Sequence, residues 1–423
     1  MSQRALVVLL DGLGDLPHQD LQDQTPLQAA STPWMDQLAA EGSCGWLDPI
    51  LPGVPVRTHT AVALLLGMAP REALQLRRGP VEAAGSGMAL RPGDVALRCN
   101  FATVSTANGN RKILDRRAGR LQQGQQQLAD AVNALCMEEE IHPLLQPTRV
   151  HRAVLKLSGA GLSAEISDTD PGSEGQTIQA CRPRRAGDMA ADRTARFLNR
   201  FLQASGECLQ SLPFNQELGR RGLPQANAIL TRGAGLVRPF ASLIRETNLK
   251  AAVVAGDPTV LGLGRLLGME SLTAPGFNTL PNTDLDGKVA LAKEALQNHD
   301  VVVLHVKGTD TCSHDRNPQG KAELLERCDR ALADLPHQDW VVAVTGDHTT
   351  DSLKGDHCGA PVPLLLRAPG HRRDPVQSFH EGSCGQGHMG RVPGWSFLWT
   401  ILDAMRVAPN YRPRLQGFLG WAG

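Results

Sequence analysis

No segment of the 423-residue chain approaches about 18 consecutive apolar residues, the length expected of a membrane-spanning helix. Neither sign of charge is in excess, because Lys and Arg together number 43 and so do Asp and Glu. This balance does not indicate a nucleic acid or an anionic membrane surface as a partner. The apolar run at the N-terminus ends in Asp-Gly instead of a small-residue cleavage site, which favours a buried strand over a signal peptide.

No two cysteines form a C-x-x-C pair, and the nine cysteines are scattered and odd in number. This distribution favours the reduced thiols of a cytoplasmic protein over a disulfide framework. Hydrophobic residues make up 41% of the chain and charged residues 20%, which is typical of a globular protein, and the length is sufficient for two domains.

Several short apolar runs end abruptly in polar or glycine-containing turns. They are Ala5–Leu10, Ala153–Leu157, Ala251–Ala255, Val301–Val306 and Val341–Thr345. Continuous β-branched runs of this length are typical of strands that are covered on both faces, hence of a largely parallel sheet. Helix-like stretches lie between them, such as Thr32–Glu41, Lys288–Gln297 and Gln319–Leu335. The alternation predicts a doubly wound α/β fold.

Residues 76–236 differ in composition from the rest of the chain, with many arginines and strand patterns of their own. We interpret this segment as a second α/β domain inserted into the first, which then comprises residues 1–75 and 237–423. Ligands of doubly wound sheets bind beyond the carboxyl ends of the strands, so polar residues that follow predicted strands are candidates for a functional site.

Six metal-competent side chains occupy such turns or the loops after them: Asp11, Asp310, His314, Asp347, His348 and His357. A carboxylate and an imidazole four residues apart, as in Asp310-Thr-Cys-Ser-His314, share one face of a helical turn. Taken singly, each residue has an ordinary structural explanation, as a turn or an unliganded loop histidine. Three imidazoles with three carboxylates favour Mn²⁺ or Zn²⁺ over Ca²⁺, with Mg²⁺ a further candidate, and we expect no organic cofactor.

A hydroxyl nucleophile would complete this set. Two cations a few ångströms apart stabilise the entering and leaving oxygens of an in-line displacement and lower the pKa of a bound hydroxyl. Thr58 precedes a helical run that extends to Gly67, so a phosphate on Thr58 would face free backbone N–H groups. Thr58 could equally be an ordinary helix cap. The combination predicts metal-dependent phosphoryl transfer.

Many blocks of the sequence resemble one known family in the order that the family shows. They include DGLGDLP, QTPLQAASTPWMDQLAAEG, RRGPVEAAGSGMALRPGDVALRCNFATV, ILDRRAGR, ISDTDPGSEG, ANAILTRGAG, LHVKGTDTCSHD, VTGDHTTD, HCGAPVP and EGSCGQGHMGR. The chain resembles the archaeal-type, 2,3-bisphosphoglycerate-independent phosphoglycerate mutases of the alkaline phosphatase superfamily. The resemblance extends over nearly the whole chain and implies an alkaline-phosphatase-like fold.

The resemblance also implies roles for single residues. Asp310, His314 and His357 would hold one metal, and Asp11, Asp347, His348 and the nucleophile Thr58 would hold the other. The inserted domain would bind the substrate through Arg98, Arg116, Arg117, Arg120 and Arg232, because guanidinium groups form paired hydrogen bonds with phosphate and carboxylate. The family reaction moves a phosphoryl group between the 2- and 3-hydroxyls of glycerate through a phosphorylated enzyme.

The chain departs from the family pattern around the nucleophile. The family block Gly-Ser-Asp-Thr-Ala-His reads Val-Arg-Thr-His-Thr-Ala-Val here, so Thr58 stands for the serine, His59 for the acid and Val62 for the histidine. Threonine serves as nucleophile elsewhere in the superfamily, so transfer chemistry survives the change. Leu261 falls where relatives tend to have a lysine, which removes a cation near the phosphate. The role of His59 is open among metal-site neighbour, general acid and packing residue.

Three functions are therefore considered. The first is a phosphoglycerate mutase acting through phospho-Thr58. The second is a related phosphatase, phosphodiesterase, phosphonate hydrolase or small-molecule phosphotransferase on the same scaffold, which the changes at Thr58, His59 and Leu261 favour. The third is a non-catalytic binding protein, against which the complete ligand set argues. The expected partner is a small phosphorylated or phosphonate metabolite, and the oligomeric state is left open.

Overall fold

The computed structural model of the protein describes residues 4–105, 111–121, 123–137, 140–335 and 339–408. The chain divides into two compact units. The two-segment unit comprises Met1–Gln75 and Phe240–Gly423, and the inserted unit comprises Leu76–Pro239. Within the described ranges, no helix combines the length and apolar character that crossing a membrane requires.

The first segment and the inserted unit each contain both helices and strands. The first segment contains β1 (Ala5–Leu10), α1 (Pro26–Ala29), α2 (Pro33–Glu41), β2 (Ser43–Asp48), α3 (Thr58–Leu65) and α4 (Pro70–Leu74). The inserted unit contains α5 (Arg78–Gly85), β3 (Val95–Ser105), β4 (Lys112–Asp115), α6 (Gln125–Asn133), β5 (His142–Pro147), β6 (Arg152–Ser158), α7 (Met189–Ser211), α8 (Pro213–Arg220) and β7 (Ala228–Leu236).

The last segment completes the two-segment unit. It contains α9 (Leu243–Thr247), β8 (Ala251–Val254), α10 (Pro258–Leu267), β9 (Glu270–Leu272), α11 (Leu285–Ala295), β10 (Val301–Val306), α12 (Gly308–His314), α13 (Pro318–Leu332), β11 (Val341–Thr345), β12 (Thr349–Asp351), β13 (Asp356–Cys358), β14 (Val362–Arg367), α14 (Glu381–Cys384), β15 (Gly390–Pro393) and α15 (Phe397–Ala404).

The two-segment unit is built on an eight-stranded sheet with the order β15-β2-β14-β11-β1-β10-β8-β9. Strand β1 lies between β10 and β11 and pairs with both in parallel, while β14 runs antiparallel to β11 and β2. Every residue of β1, β10 and β11 is buried, as expected for parallel strands covered on both faces. The predicted α/β fold with a largely parallel sheet is confirmed.

The strand register aligns the carboxyl ends of the three central strands. Leu10 pairs with Val306, and Leu9 pairs with Thr345, so these strands end at nearly the same height. The residues that follow them are therefore brought together at one edge of the sheet, which is where ligands of such sheets bind.

The inserted unit contains a five-stranded antiparallel sheet in which four strands have the order β4-β3-β6-β5 and β7 also pairs with β3. The run Ala153–Leu157, which the sequence pattern assigned to a parallel sheet, belongs to β6 of this antiparallel sheet. The pattern is misleading because β6 is covered on both faces. Leu155 lies in the large core of the unit, whereas Val154 packs in a small cluster on the other face.

Candidate functional site

The predicted metal ligands lie on four local structures of the two-segment unit. Asp11 follows β1, and Asp347 and His348 follow β11. Asp310 and His314 lie on α12, one turn apart, as their spacing predicted. His357 lies on β13, directly opposite Thr350 of the short hairpin that β12 and β13 form.

The turn after Asp11 requires a glycine. Gly12 has φ +64°, and a Cβ there would lie 2.7 Å from Thr350 Oγ1 and 2.9 Å from Asp310 Cβ. An L-residue would therefore be strained and would displace both neighbours. The Gly12 N–H donates to Asp347 Oδ1 at 3.0 Å, so this close approach also fixes the Asp347 carboxylate.

Both oxygens of Asp11 are engaged. Oδ2 lies 2.9 Å from Nε2 of His305, and Oδ1 accepts a hydrogen bond from Nζ of Lys307 at 2.8 Å. Lys307 Nζ also lies 2.6 Å from Asp310 Oδ2. Burial by itself would raise the pKa of Asp11, but the Lys307 ammonium holds that pKa well below its usual range. Burial likewise opposes the charge of Lys307, yet Asp11 and Asp310 raise its pKa above the ordinary value.

Two of the three histidines present Nε2 to the cluster and use Nδ1 elsewhere. Nδ1 of His357 lies 2.7 Å from the carbonyl oxygen of Val56, and Nδ1 of His314 lies 2.8 Å from that of Gly355. A carbonyl oxygen only accepts, so these Nδ1 atoms carry protons. The Nε2 atoms of His314 and His357 are 3.3 Å apart, and both face Asp310.

His348 is oriented through Thr350. The Thr350 hydroxyl donates to Asp310 Oδ1 at 2.8 Å and lies 3.0 Å from Nδ1 of His348. Since its single proton goes to the carboxylate, Thr350 must accept from His348, which places the His348 proton on Nδ1. Burial lowers the pKa of His348, in keeping with a neutral ring whose Nε2 lone pair faces the cluster. Side-chain orientation of this kind is typical of metal-binding histidines.

The Asp347 carboxylate is incompletely compensated among the described residues, because its Oδ2 contacts Nε2 of His348 at 3.2 Å and that ring is neutral. Its Oδ2 is buried and accepts no hydrogen bond from the part of the chain that the structure describes. Burial, together with the charges of Asp11 and Asp310, raises the pKa of Asp347 well above its usual range. A cation next to Oδ2 would remove this cost, so the donor set fits a divalent metal ion.

The pKa of His314 also indicates that the cluster has an excess of negative charge. The hydrogen bond with Asp310 raises the pKa of His314 to about 9, so the ring holds a proton that a metal ion would displace. Both observations indicate that the cluster attracts cations.

Among the described residues, two groups of three side chains have ligand atoms within 4.8 Å of one another: Asp310, His348 and His357, and Asp11, Asp347 and His348. The second group corresponds to the ligands assigned to one metal from the resemblance. The first contains Asp310 and His357 as assigned, but with His348 in place of His314. The His348 and His357 rings are stacked with centroids 3.6 Å apart, which brings His348 next to both groups.

Thr58 is the first residue of α3, and its hydroxyl reaches the cluster. Thr58 Oγ1 lies 3.2 Å from His348 Nε2 and 3.3 Å from Lys307 Nζ. The hydroxyl therefore faces both an unprotonated nitrogen and an ammonium group. His59, the next residue of α3, is half-buried. Leu261 is 6% exposed within α10, among core residues.

Three of the five predicted substrate arginines come together in the inserted unit. Arg98 of β3 and Arg232 of β7 are direct partners across the sheet. Arg116 forms a paired contact with Asp170 at 3.0 and 2.6 Å, and Arg232 approaches the same carboxylate at 3.8 Å. Burial and the neighbouring charge of Arg98 lower the pKa of Arg232. Because like charges repel one another here, a bound anion would stabilise this group of arginines.

Arg117 and Arg120 lie on the exposed turn after β4. A further cation was missed: Arg78 of α5 contacts Glu82 at 3.0 Å, and Glu82 also contacts Arg98 at 2.6 Å. Arg78 stands in the block RRGPVEAAG at the start of a helix, and its part in the group appears only once α5 packs on β3 and β7.

In the two-segment unit, the sequence interpretation missed Lys307, His305 and Thr350. Lys307 had a detectable signal, because it follows a predicted strand directly, as Asp11 does. His305 lies inside a buried apolar strand, where a polar residue is unusual enough to mark a contact. For Thr350 no local signal exists, since its contacts depend on the folded hairpin.

Comparison with known proteins gives consistent matches. The family model described as 2,3-bisphosphoglycerate-independent phosphoglycerate mutase matches residues 39–215. A relative of that description from Methanopyrus kandleri is 41% identical over 413 residues, covering 95% of this chain and 96% of its own. The solved cofactor-independent phosphoglycerate mutase from Thermoplasma acidophilum is 34% identical with a TM-score of 0.75, covering 95% of this chain and all of its own. A structure from Pyrococcus horikoshii is 32% identical with a TM-score of 0.81 over 97% of this chain and all of its own.

Fold and site together define an α/β protein with a cluster of carboxylates and imidazoles at the carboxyl edge of its central parallel strands. Identity of this extent over nearly the full length of both chains is decisive for the family. The chain belongs to the 2,3-bisphosphoglycerate-independent phosphoglycerate mutases.

Proposed function

We propose that the protein interconverts 3-phosphoglycerate and 2-phosphoglycerate by way of a phosphorylated Thr58. The observation that carries this proposal is the Thr58 hydroxyl at the start of α3, 3.2 Å from His348 Nε2 and inside the cluster of predicted metal ligands. The choice of substrate is based on the relatives named phosphoglycerate mutase, one of which is 41% identical to this chain.

The cluster would hold two divalent cations, Mn²⁺ or Zn²⁺, with Mg²⁺ a further candidate. Asp11, Asp347, His348 and Thr58 would form one set of ligands, and Asp310, His314 and His357 would form the other. The stacking of His348 on His357 places His348 next to both sets. Bound there, the ions would supply Lewis-acid stabilisation of the charge that develops on the transferring group. No organic cofactor is needed for this chemistry.

Thr58 is the acceptor in the first half of the reaction and the donor in the second. Its oxygen forms a bond to phosphorus as the bond from phosphorus to the 3-oxygen of glycerate breaks, and the hydroxyl proton ends on that oxygen. The second half reverses these changes at the 2-oxygen. Thr58 is the first residue of α3, so a phosphate on Thr58 would lie at the positive end of the helix dipole.

The arginines of the inserted unit would bind the carboxylate and phosphate of the substrate. Arg98 and Arg232 place two like charges opposite each other on the sheet, an arrangement that an anion stabilises. Arg116 already shows the paired geometry in its contact with Asp170. Arg117 and Arg120 are the exposed members of the proposed set.

Phosphorus NMR tests this function. Incubation of 3-phosphoglycerate with the protein and Mn²⁺ should give 2-phosphoglycerate without free phosphate. Release of inorganic phosphate instead would favour the related hydrolase. Thr58→Ala should abolish turnover and phosphopeptide formation, whereas Thr60→Ala, on the same helix, serves as the matched control and should retain both. Undiminished activity of Thr58→Ala would show that Thr58 is not the nucleophile. The variant His59→Gln tests the second predicted catalytic residue in the same assay.

A further inference from the structure

The ammonium group of Lys307 lies in the middle of the cluster. Its Nζ is 2.6 Å from Asp310 Oδ2, 2.8 Å from Asp11 Oδ1 and 3.3 Å from Thr58 Oγ1. The first two contacts are ion pairs with residues from both groups of predicted metal ligands. The third contact is with the oxygen that the proposed function places in the reaction.

We propose that Lys307 is a catalytic residue that contacts the phosphoryl group while it is transferred to and from Thr58. This inference rests on the transfer to Thr58 proposed above and adds a protein cation to that step. A phosphorus atom bonded to Thr58 Oγ1 carries oxygens one bond further out, which brings them within contact distance of an ammonium group already 3.3 Å from Oγ1.

The strand register and two ion pairs hold Lys307 in this position. Lys307 directly follows Val306, which pairs with Leu10, so the strand register sets its backbone beside that of Asp11. The two carboxylates then fix the end of a side chain that would otherwise be free to rotate. Fixed donors need little rearrangement as charge develops, which is the condition for strong electrostatic stabilisation.

Burial makes this charge effective. The Lys307 side chain is only 15% exposed, and those of Asp11 and Asp310 are 0% and 2% exposed. Water therefore screens the ammonium group less than it screens a surface lysine. The ammonium group keeps its protons throughout the step: it donates hydrogen bonds to phosphoryl oxygens, while the bond to Thr58 forms and the bond to the glycerate oxygen breaks.

A positioning role is the competing explanation. In that case Lys307 would only keep Asp11 and Asp310 at the spacing that metal ions need, and its loss would act through the metals. The two roles differ in what changes first. A catalytic Lys307 affects the rate of Thr58 phosphorylation at full metal occupancy, whereas a positioning Lys307 affects metal content.

The test compares Lys307→Met and Lys307→Arg with wild-type protein and with Lys293→Met, an exposed lysine of α11. Metal content is measured first, by elemental analysis after dialysis against Mn²⁺. Quenched-flow mixing with 3-phosphoglycerate then gives the rate at which phospho-Thr58 forms. We expect Lys307→Met to retain its metal and KM within about twofold while phosphorylation slows by about 100-fold, the usual effect of losing one such donor. Lys307→Arg should recover part of the rate, and Lys293→Met should match wild type.

Two results would overturn the inference: phosphorylation of Lys307→Met within about threefold of wild type, or metal loss whose reversal by excess Mn²⁺ restores the rate. If Lys307→Met does not fold, Lys307→Gln replaces it, because glutamine keeps a polar side chain but carries no charge. Phosphorylation of Lys307→Gln within about threefold of wild type at full metal content would overturn the inference. Failure of the proposed function looks different, since wild-type protein would then form no phospho-Thr58 at all.

Discussion

Thr350 donates its hydroxyl proton to Asp310 at 2.8 Å and accepts from Nδ1 of His348 at 3.0 Å, which leaves Nε2 of His348 facing the cluster. The hydroxyl thus connects the two groups of predicted metal ligands without being a ligand itself.

Removing that hydroxyl should weaken metal binding. Thr350→Val leaves Asp310 short of a donor and frees the His348 ring, so we expect Mn²⁺ affinity to fall by about 10- to 100-fold, as for other residues that orient metal ligands. Thr350→Ser keeps the hydroxyl and should stay within about threefold of wild type. Competition titration with a fluorescent chelator measures both. Equal affinity of the valine and serine variants would show that Thr350 orients nothing.

Metal binding should stabilise the folded protein through Asp347. At a Mn²⁺ concentration of 100 times Kd, each site adds about 2.7 kcal/mol to the free energy of unfolding, seen as a rise in Tm. In Asp347→Asn the rise should shrink, because one set of ligands has lost a charge. At a pH above the raised pKa of Asp347, the metal-free Tm of Asp347→Asn should exceed that of metal-free wild type, because the variant does not bury a carboxylate charge. A lower metal-free Tm would mean that the carboxylate is already compensated.

Lys288 should make the free energy of unfolding depend on pH in the alkaline range. Its Nζ is buried, donates to the His305 carbonyl at 3.0 Å and lies 5.8 Å from the centre of the Phe277 ring. Burial lowers the pKa of Lys288 from 10.5 to about 8. Between these values the unfolded chain binds a proton that the folded chain does not, so the free energy of unfolding rises with pH, by up to roughly 3 kcal/mol.

Urea unfolding of wild type and Lys288→Met at pH 7 and pH 10 isolates this effect. The stability of the methionine variant relative to wild type should decrease as the pH rises. Lys293→Met, which removes an exposed lysine of the same helix, should show no such trend. A relative stability that is unchanged with pH would mean that Lys288 titrates normally.

A buried ion pair stabilises the loop after β1. Lys321 of α13 contacts Asp15 at 2.9 Å and donates to the Gly14 carbonyl at 3.0 Å, and Ser352 donates to Asp15 through both its N–H and its hydroxyl. Lys321→Met would leave Asp15 buried without its cation, at a cost of about 3 to 5 kcal/mol. The double variant with Asp15→Asn should cost clearly less than the two single variants together. Strict additivity in urea unfolding would contradict coupling between Asp15 and Lys321.

The sequence predicted the central strands well because their pattern has a direct physical cause. Ala5–Leu10, Val301–Val306 and Val341–Thr345 match the observed strands residue for residue, since continuous burial ends where each strand meets the polar edge. Helix starts were less well predicted. The helix expected from Lys288 begins at Leu285, because the Asp284 side chain accepts a hydrogen bond from the Gly287 N–H and caps it there.

Tertiary contacts account for what the sequence could not supply. A lysine in the turn after a strand looks the same whether it faces water or two carboxylates, so Lys307 was overlooked. Spacing pointed to His314 as the partner of Asp310, but it carries no information on the stacking of His348 against His357. The contacts of Thr350 arise only when the hairpin packs against α12.

The position of β1 in the sheet has a consequence for synthesis of the chain. This strand is made before its two neighbours, β10 and β11, which begin only at Val301 and Val341. Until those residues leave the ribosome, β1 is an apolar strand with two open edges, the kind of segment that aggregates or recruits chaperones. A chain truncated before β11 would therefore lack three predicted metal ligands and would also leave β1 without a permanent neighbour on one side.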